Sequence, residues 1–285
     1  MKVYQFIERY FWIFLLSGLL LGLSFPVYND FLMSLLKPFL MVMLFLVFLK
    51  TDIDQVFRKM KNYRLIALVV FLNMIVIPVL FYLAINLFNH NLAIGVLLLT
   101  AMPAGVSTPA LTDIVKGNTA LSTSVVIATS IIAPLTVPLL FGIINVNDLA
   151  VNPWWLFKDL AVIIFLPMVT SQILKSRASR FIERKFHLFT CVNIMILSIL
   201  VYTVMGSQRS AIFNDSIKIL WQIGFLYLIF ILLHVFGFMM GFTEDRKGKI
   251  ATAVGSAYMN NGMAIVLAAI YFEPSVVLLV VLSEL

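Results

Sequence analysis

Apolar residues in this sequence come in long runs separated by short polar or basic stretches. A hydrocarbon core of about 30 Å takes about 20 apolar residues of helix. The chain supplies such runs over 9–28, 30–50, 63–88, 91–115, 118–144, 154–174, 186–206, 217–242, 246–271 and 274 to the end. The pattern predicts an all-α polytopic membrane protein with ten transmembrane helices. The last run holds 12 residues, about 18 Å of helix. That is too short to cross, and it reads as a final helix cut short rather than as a re-entrant segment.

Composition agrees. Of 285 residues, 62% are apolar and 12% charged, and mean hydropathy is +1.06, more apolar surface than a soluble domain can bury. The net charge of +7 is mostly a topology signal. Counting Lys2, Arg9, Lys116 and the loops 50–64, 175–185 and 246–249, 16 of the 20 basic residues fall on one side. The positive-inside rule then makes the N-terminus and the even-numbered connections cytoplasmic, which fits a multi-pass protein of the plasma (inner) membrane. Nucleic-acid binding would need those charges on one folded face and is not expected. Trp12, Trp154, Trp155 and Trp221 fall near span ends, where amphipathic rings prefer to lie. The first run follows Lys2 and Arg9 but lacks a small-x-small cleavage site, so it reads as a span of the mature chain. A single cysteine, Cys191, excludes an intramolecular disulfide and a multi-cysteine metal site.

Ten spans divide into two five-helix repeats, 1–145 and 146–285, with the seam in the loop NVNDLAVNPWW. An odd number of spans per half inverts the second repeat relative to the first. The fourth span of each half is interrupted. In GVLLLTAMPAGVSTPALTDIVKG, Pro103, Gly105 and Pro109 fall close together, and each proline removes a backbone donor and clashes with the preceding turn. In IATAVGSAYMNNGMAIVLAAIYF, Gly255, Ser256, Asn260, Asn261 and Gly262 weaken the helix in its middle. Unwound backbone at membrane depth survives only where protein or a water-filled cavity satisfies it. Interrupted helices at corresponding positions of two halves point to a transport site, whereas small residues alone would point to close helix packing.

Such breaks offer free N–H groups at one end, suited to an anion, and free carbonyls at the other, suited to a cation. Neutral oxygen-bearing side chains accompany them: Ser107, Thr108 and Thr112 in the first break, Ser256, Asn260 and Asn261 in the second, Ser122 and Thr129 seven apart in span five, and Asn73 five residues before Pro78. That set suits a weakly held sodium ion or a polar substrate. Ser122 or Thr129 taken alone reads as a hydroxyl bonded back to its own helix. The adjacent amides read as functional, because a lipid-facing amide is expensive. Charged residues in or near spans, Lys37, Lys158, Asp159, Asp113, Glu273 and Glu284, are a second signal; Lys158 and Asp159 are expected at the outer interface. His234 reads as a histidine that is simply hydrogen-bonded.

The stretch PAGVSTPALTDIVKGNTALSTSVVIATSIIAPLTVPLL, from Pro103 to Leu140, resembles the bile acid:sodium symporter family, and the Asn-x-Gly-x-Ala run of the second break is similar too. The resemblance implies two inverted five-helix repeats whose spans four and nine are broken and cross, core and panel subdomains formed from both repeats, and sodium-driven import of bile acids or other amphipathic organic anions. Carried over residue by residue, the family's amide before the span-three proline is Asn73, its serine–asparagine pair is Thr108 and Pro109, and its Ala-Leu-Ser serine is Ser122. The hydroxyl one turn later is Val126. The family's glutamate falls on Gly255, its glutamine on Met259, and the following asparagine is Asn260.

The expectation is a secondary active transporter of a small organic anion working by alternating access, with sodium sites reduced to neutral ligands. The ion-facing residues are Asn73, Thr108, Ser122 and Ser256. Ser107, Pro109, Thr112, Asn260 and Asn261 face the substrate. The rival readings are a proton-coupled or uncoupled transporter of the same fold and a transport-incompetent sensor. Arsenite efflux is disfavoured because the fourth span lacks a cysteine. No metal cluster, nucleophile elbow or phosphate-binding glycine loop argues for an enzyme, and no cofactor is expected beyond sodium.

Overall fold

The structure, a computed structural model, describes residues 3–26, 30–51, 63–144, 152–214 and 216–284. Most of the basic loop expected at 50–64, the seam at 145–151, and Lys2 lie outside the described residues. The described chain is helical, and it separates into two compact units, Met1–Ile53 with Ala161–Ser216, and Asp54–Leu160 with Ile217–Leu285.

The first unit contains α1 (Val3–Arg9), α2 (Phe11–Ser24), α3 (Asp30–Ser34), α4 (Leu36–Lys50), most of α10 (Pro153–Arg184), α11 (Phe186–Ser207) and α12 (Arg209–Asn214). Here α11 is the hub, packed against α1, α2 and α4. Gly18 and Gly22 let α2 approach it closely. A Cβ at Gly18 would stand 2.4 Å from the Ser198 carbonyl oxygen, and one at Gly22 would stand 2.5 Å from that of Tyr202. This is small-xxx-small packing, in which backbones meet because nothing projects between them. At the other end α10 bends at Ala178, whose φ of −137° is not helical. The bend joins a cluster around Leu46, Leu49 and Ile182.

The second unit contains α5 (Tyr63–Phe71), a π-helical turn (Leu72–Val76), α6 (Ile77–Asn86), α7 (His90–Ala101), α8 (Thr108–Ile114), α9 (Thr119–Ile143), α13 (Ser216–Met240), α14 (Arg246–Ala257), α15 (Asn261–Tyr271) and α16 (Pro274–Leu282). Asparagine and aspartate side chains start four of these helices. Asn89, Asn118, Asp245 and Asn260 accept from the backbone N–H groups of Leu92, Leu121, Gly248 and Met263 at 2.8–3.1 Å, satisfying one orphan donor at each N-terminus. The π-helical turn has a covalent cause. Pro78 has no N–H to offer the carbonyl four residues back, and upstream the Ile77 N–H reaches five residues back to Leu72. At the unit's centre, α9 packs against α5, the π turn, α7, α8 and α14.

Among the described residues, six helices are long and apolar enough to cross a membrane: Phe31–Lys50, Tyr63–Asn86, Thr119–Ile143, Pro153–Arg184, Phe186–Ser207 and Ile217–Met240. The spans read as interrupted appear as shorter pieces on either side of a break. Large apolar side chains such as Leu83, Leu135, Leu166, Leu220 and Ile231 are more than half exposed, while Ser122, Thr129, Ser130 and Thr136 are buried. Large apolar side chains left outside are what lipid as solvent accepts, and the protein is a multi-pass membrane protein.

The glycine contact can be tested by overpacking. Gly22→Leu should wedge α2 from α11 and lower the melting temperature in detergent, in line with the roughly 1–3 kcal/mol of an overpacked core. Gly224→Leu is the control, since a Cβ there meets nothing within 4 Å; equal melting shifts for the two variants would refute the contact.

Candidate transport site

The two breaks meet. Between α7 and α8 the chain is unwound from Met102 to Ser107, and between α14 and α15 from Tyr258 to Asn260. Ala104 and Met259 form an isolated antiparallel bridge. The Gly105 N–H donates to the Tyr258 carbonyl at 2.7 Å, and the Asn260 N–H to the Pro103 carbonyl at 2.8 Å. Each break thus supplies the partner that the other lacks. Gly105 is required at the contact, because a Cβ there would stand 2.8 Å from the Met259 carbonyl oxygen and 3.1 Å from that of Tyr258.

Side chains fasten this crossing to α9 along one stripe. Ser122, Val125 and Thr129 follow a spacing of three and four, hence one helix face, and all three are essentially buried. Thr129 donates to the Val125 carbonyl at 2.8 Å and accepts from the Ala104 N–H at 3.1 Å. One hydroxyl therefore makes the back-bond expected of it and also satisfies a donor of the first break. Ser122 lies 3.0 Å from Thr112 Oγ1, which itself donates to the Thr108 carbonyl at 2.8 Å. With Thr112's hydrogen so used, Ser122 supplies the hydrogen between the pair and keeps its lone pairs as acceptors. Val125 meets the second crossing helix, since a Cβ at Gly255 would stand 3.3 Å from Val125 Cγ1.

The other expected residues divide. Thr108, fully buried, donates to the Tyr258 carbonyl at 3.2 Å, so that carbonyl serves both Gly105 and Thr108. Asn260 caps α15 through Met263, which fills part of the N-terminal end that would otherwise face an anion. The Asn261 amide nitrogen donates to the Ser283 carbonyl at 3.2 Å, while its Oδ1 is buried without a partner among the described residues. Ser256 donates back to the Thr252 carbonyl at 2.8 Å and lies beside Met240 of α13. Ser107 is exposed and Pro109 partly so. Asn73 stands out. It sits in the π turn, which packs against α7 and α9, and both polar atoms of its amide are buried with no partner among the described residues. Leaving such a group unpaired costs about 1–3 kcal/mol per atom, and π turns recur at functional sites.

The site residues that sequence reasoning missed are backbone groups, the carbonyls of Pro103 and Tyr258. No side-chain type announces them; the only available signal is their place inside the two breaks. Of the charged candidates, Asp159 accepts from the Tyr271 hydroxyl, and Lys158 Nζ lies 5.0 and 4.7 Å from the ring centres of Trp154 and Trp155. His234 Nδ1 donates to the Phe230 carbonyl at 2.7 Å, as a simply bonded histidine does.

The oxygens these segments carry, the amides of Asn73 and Asn261 and the hydroxyls of Thr108, Thr112, Ser122 and Thr129, are neutral and hard. They suit an alkali cation rather than a transition metal. The chain belongs to the sodium bile acid symporter family, whose profile matches residues 37–215. It is therefore a membrane transport protein for a small solute, not an enzyme. A Bacillus subtilis (strain 168) protein named "Uncharacterized sodium-dependent transporter YocS" is 26% identical over 282 residues, covering 96% of this chain and 85% of that one. Two chloroplast proteins named "Probable sodium/metabolite cotransporter BASS1" match less of their length. The one from Oryza sativa subsp. japonica is 22% identical over 63% of this chain and 44% of its own. The one from Arabidopsis thaliana is 24% identical over 66% of this chain and 46% of its own.

Thr129→Val keeps the volume of the side chain but strands the Ala104 N–H. It is expected to destabilise the protein by about 1–3 kcal/mol in thermal or denaturant melts. Thr170→Val removes only an exposed back-bond to Leu166 and Pro167 and should leave stability unchanged; parity between the two would contradict the role given to Thr129.

Proposed function

We propose that the protein is a secondary active transporter that carries a small organic anion, a bile-acid-like or other amphipathic carboxylate, by alternating access and in symport with sodium. The reading places it in the plasma (inner) membrane with a cytoplasmic N-terminus. It takes the ten predicted spans as two inverted five-helix repeats, 1–145 and 146–285. Spans one, two, six and seven supply the first compact unit and the others the second, and these units are read as the bodies that move. The names of the relatives, sodium-dependent transporter and probable sodium/metabolite cotransporter, support sodium as the driving ion.

The observation that carries the proposal is the buried amide of Asn73, which has no partner among the described residues and sits in a turn packed on α7 and α9. An amide oxygen of this kind is a ready ligand for a cation that has shed water. Thr108 and Ser122 are proposed as further sodium ligands, with Ser256 as an outer member of the set. Ser107, Pro109, Thr112, Asn260 and Asn261 are proposed to face the anion, with Asn260 also closing the start of α15. A cation bound by neutral oxygens alone is held loosely, which suits release on each cycle.

One observation favours a second reading. The residue of α14 that meets Val125 of the α9 stripe is Gly255, which carries no side chain; a Cβ there would stand 3.3 Å from Val125 Cγ1. With no acid there, coupling by one sodium ion, by protons or not at all is the rival.

Uptake into proteoliposomes with sodium and proton gradients imposed separately tests the proposal. Accumulation should follow the sodium gradient. Asn73→Leu should raise the sodium concentration for half-maximal uptake at least tenfold while Asn73→Gln stays within a few fold. Accumulation that follows only the proton gradient, or neither, rejects sodium symport.

A further inference from the structure

Glu284 is an acid that the transport site described above leaves out. Charge within a membrane span is costly and usually functional. Glu284 follows α16 in the last apolar run, half-buried and with no salt-bridge partner among the described residues. Its level in the unit follows from the packing of α16, which lies mainly against α7 and α15. Ser275 lines one cavity with Asn91 and Leu92. Four residues further along each helix, a Cβ at Gly95 would stand 2.6 Å from Leu279 Cδ2. The two helices therefore run in parallel. Five residues on, the same register brings Glu284 level with Thr100, at the end of α7 where the first break begins. The neighbouring helix α15 runs the other way. Asn261 opens it where the second break ends, and the Asn261 amide nitrogen donates to the carbonyl of Ser283, the residue before Glu284, at 3.2 Å.

The groups that meet at this level are electronegative. With its nitrogen spent on Ser283, the Asn261 amide has only Oδ1 left to offer, and that oxygen is buried without a partner among the described residues. The C-terminal end of α7 carries the negative end of a helix dipole. The helices packed on α16 bring no cation to this end. The ionisable side chains of α7 and α15 are His90 and Tyr271, and both stand with Glu273 at the opposite end of α16. A carboxylate, an amide oxygen and a helix C-terminus are hard donors, the set that takes an alkali or alkaline-earth cation. One negative charge matches a monovalent ion.

We propose that the Glu284 carboxylate and Asn261 Oδ1 hold a monovalent cation, sodium in the reading above, where the ends of α7, α15 and α16 meet. The proposal rests on that reading and extends it: the sodium ligands named there are neutral, and this site adds an acid from a helix outside both breaks. Asn261 then faces the anion across the cation it holds.

Thermal melts of the full chain in detergent test it, with sodium exchanged for choline at constant ionic strength, because an ion that binds only the folded protein raises its melting temperature. Glu284→Gln keeps the size of the side chain and should raise the sodium concentration for half-maximal stabilisation by about tenfold or more. Asn261→Leu should do the same, whereas Glu273→Gln, at the exposed start of α16, should match the wild type. In choline Glu284→Gln should melt no lower than the wild type, since the charge it removes is then uncompensated. A wild-type sodium response in Glu284→Gln would overturn the proposal. So would an equal loss of stability in choline and in sodium, which would make Glu284 a packing residue only. A wild type that does not respond to sodium rejects both this site and the symport reading, while a response lost in Asn73→Leu and kept in Glu284→Gln rejects this site alone.

Discussion

Two hydrogen bonds between unwound backbones hold the second unit together at its crossing. Within a membrane a helix is the only single segment that satisfies its own N–H and C=O groups, and a break in one exposes groups that lipid cannot serve. Here two breaks serve each other: Gly105 donates to Tyr258, and Asn260 to Pro103. Neither break can straighten or move away without orphaning groups in the other. The arrangement explains why glycine occupies position 105, and why Thr129 and Thr108 spend their hydroxyls on the segments beside the bridge.

The rest of the second unit follows from the need to present a flat, small-residue face to that crossing. On α9, Ser122 meets Thr112, Val125 meets Gly255, and Thr129 meets Ala104, so one stripe of one helix touches both broken spans. The helix is among the most deeply buried of the long apolar ones, and Leu135 and Leu139 on its other side are exposed. The polar groups buried on this helix are hydroxyls, Ser122, Ser124, Thr129, Ser130 and Thr136, neutral groups that tolerate a low-dielectric setting far better than charges do. Neutral groups attract a cation through their dipoles, and in the proposed symport the cation's own charge is balanced by the anion that shares the site. That coupling of opposite charges is a physical route from a neutral binding site to symport.

Much of this was legible in the sequence, and the failures share a cause. Long apolar runs marked the helices because a membrane span is a property of composition over about 20 residues. Pro103, Gly105, Pro109 and the Asn260–Asn261–Gly262 run marked the breaks because those residues disfavour a helix wherever they stand. What a side chain does inside a break was not legible. Asn260 caps a helix, and the same residue type in the same place could instead have faced a ligand. Thr129 read alone as a back-bonded hydroxyl; its second role depends on a backbone amide 25 residues away. The carbonyls of Pro103 and Tyr258 carry no residue-type signature.

The central claim is that the paired breaks form a hydrogen-bonded unit that binds sodium. Amide hydrogen exchange read on peptides spanning 102–108 and 257–262, in detergent with sodium or with choline, tests it most directly. The Gly105 and Asn260 amides should exchange slowly in choline, far below the rate of the exposed turn around Glu244, and several-fold more slowly still in sodium. Exchange as fast as that turn would contradict the pairing, and protection unchanged by sodium would contradict the claim that the cation binds there.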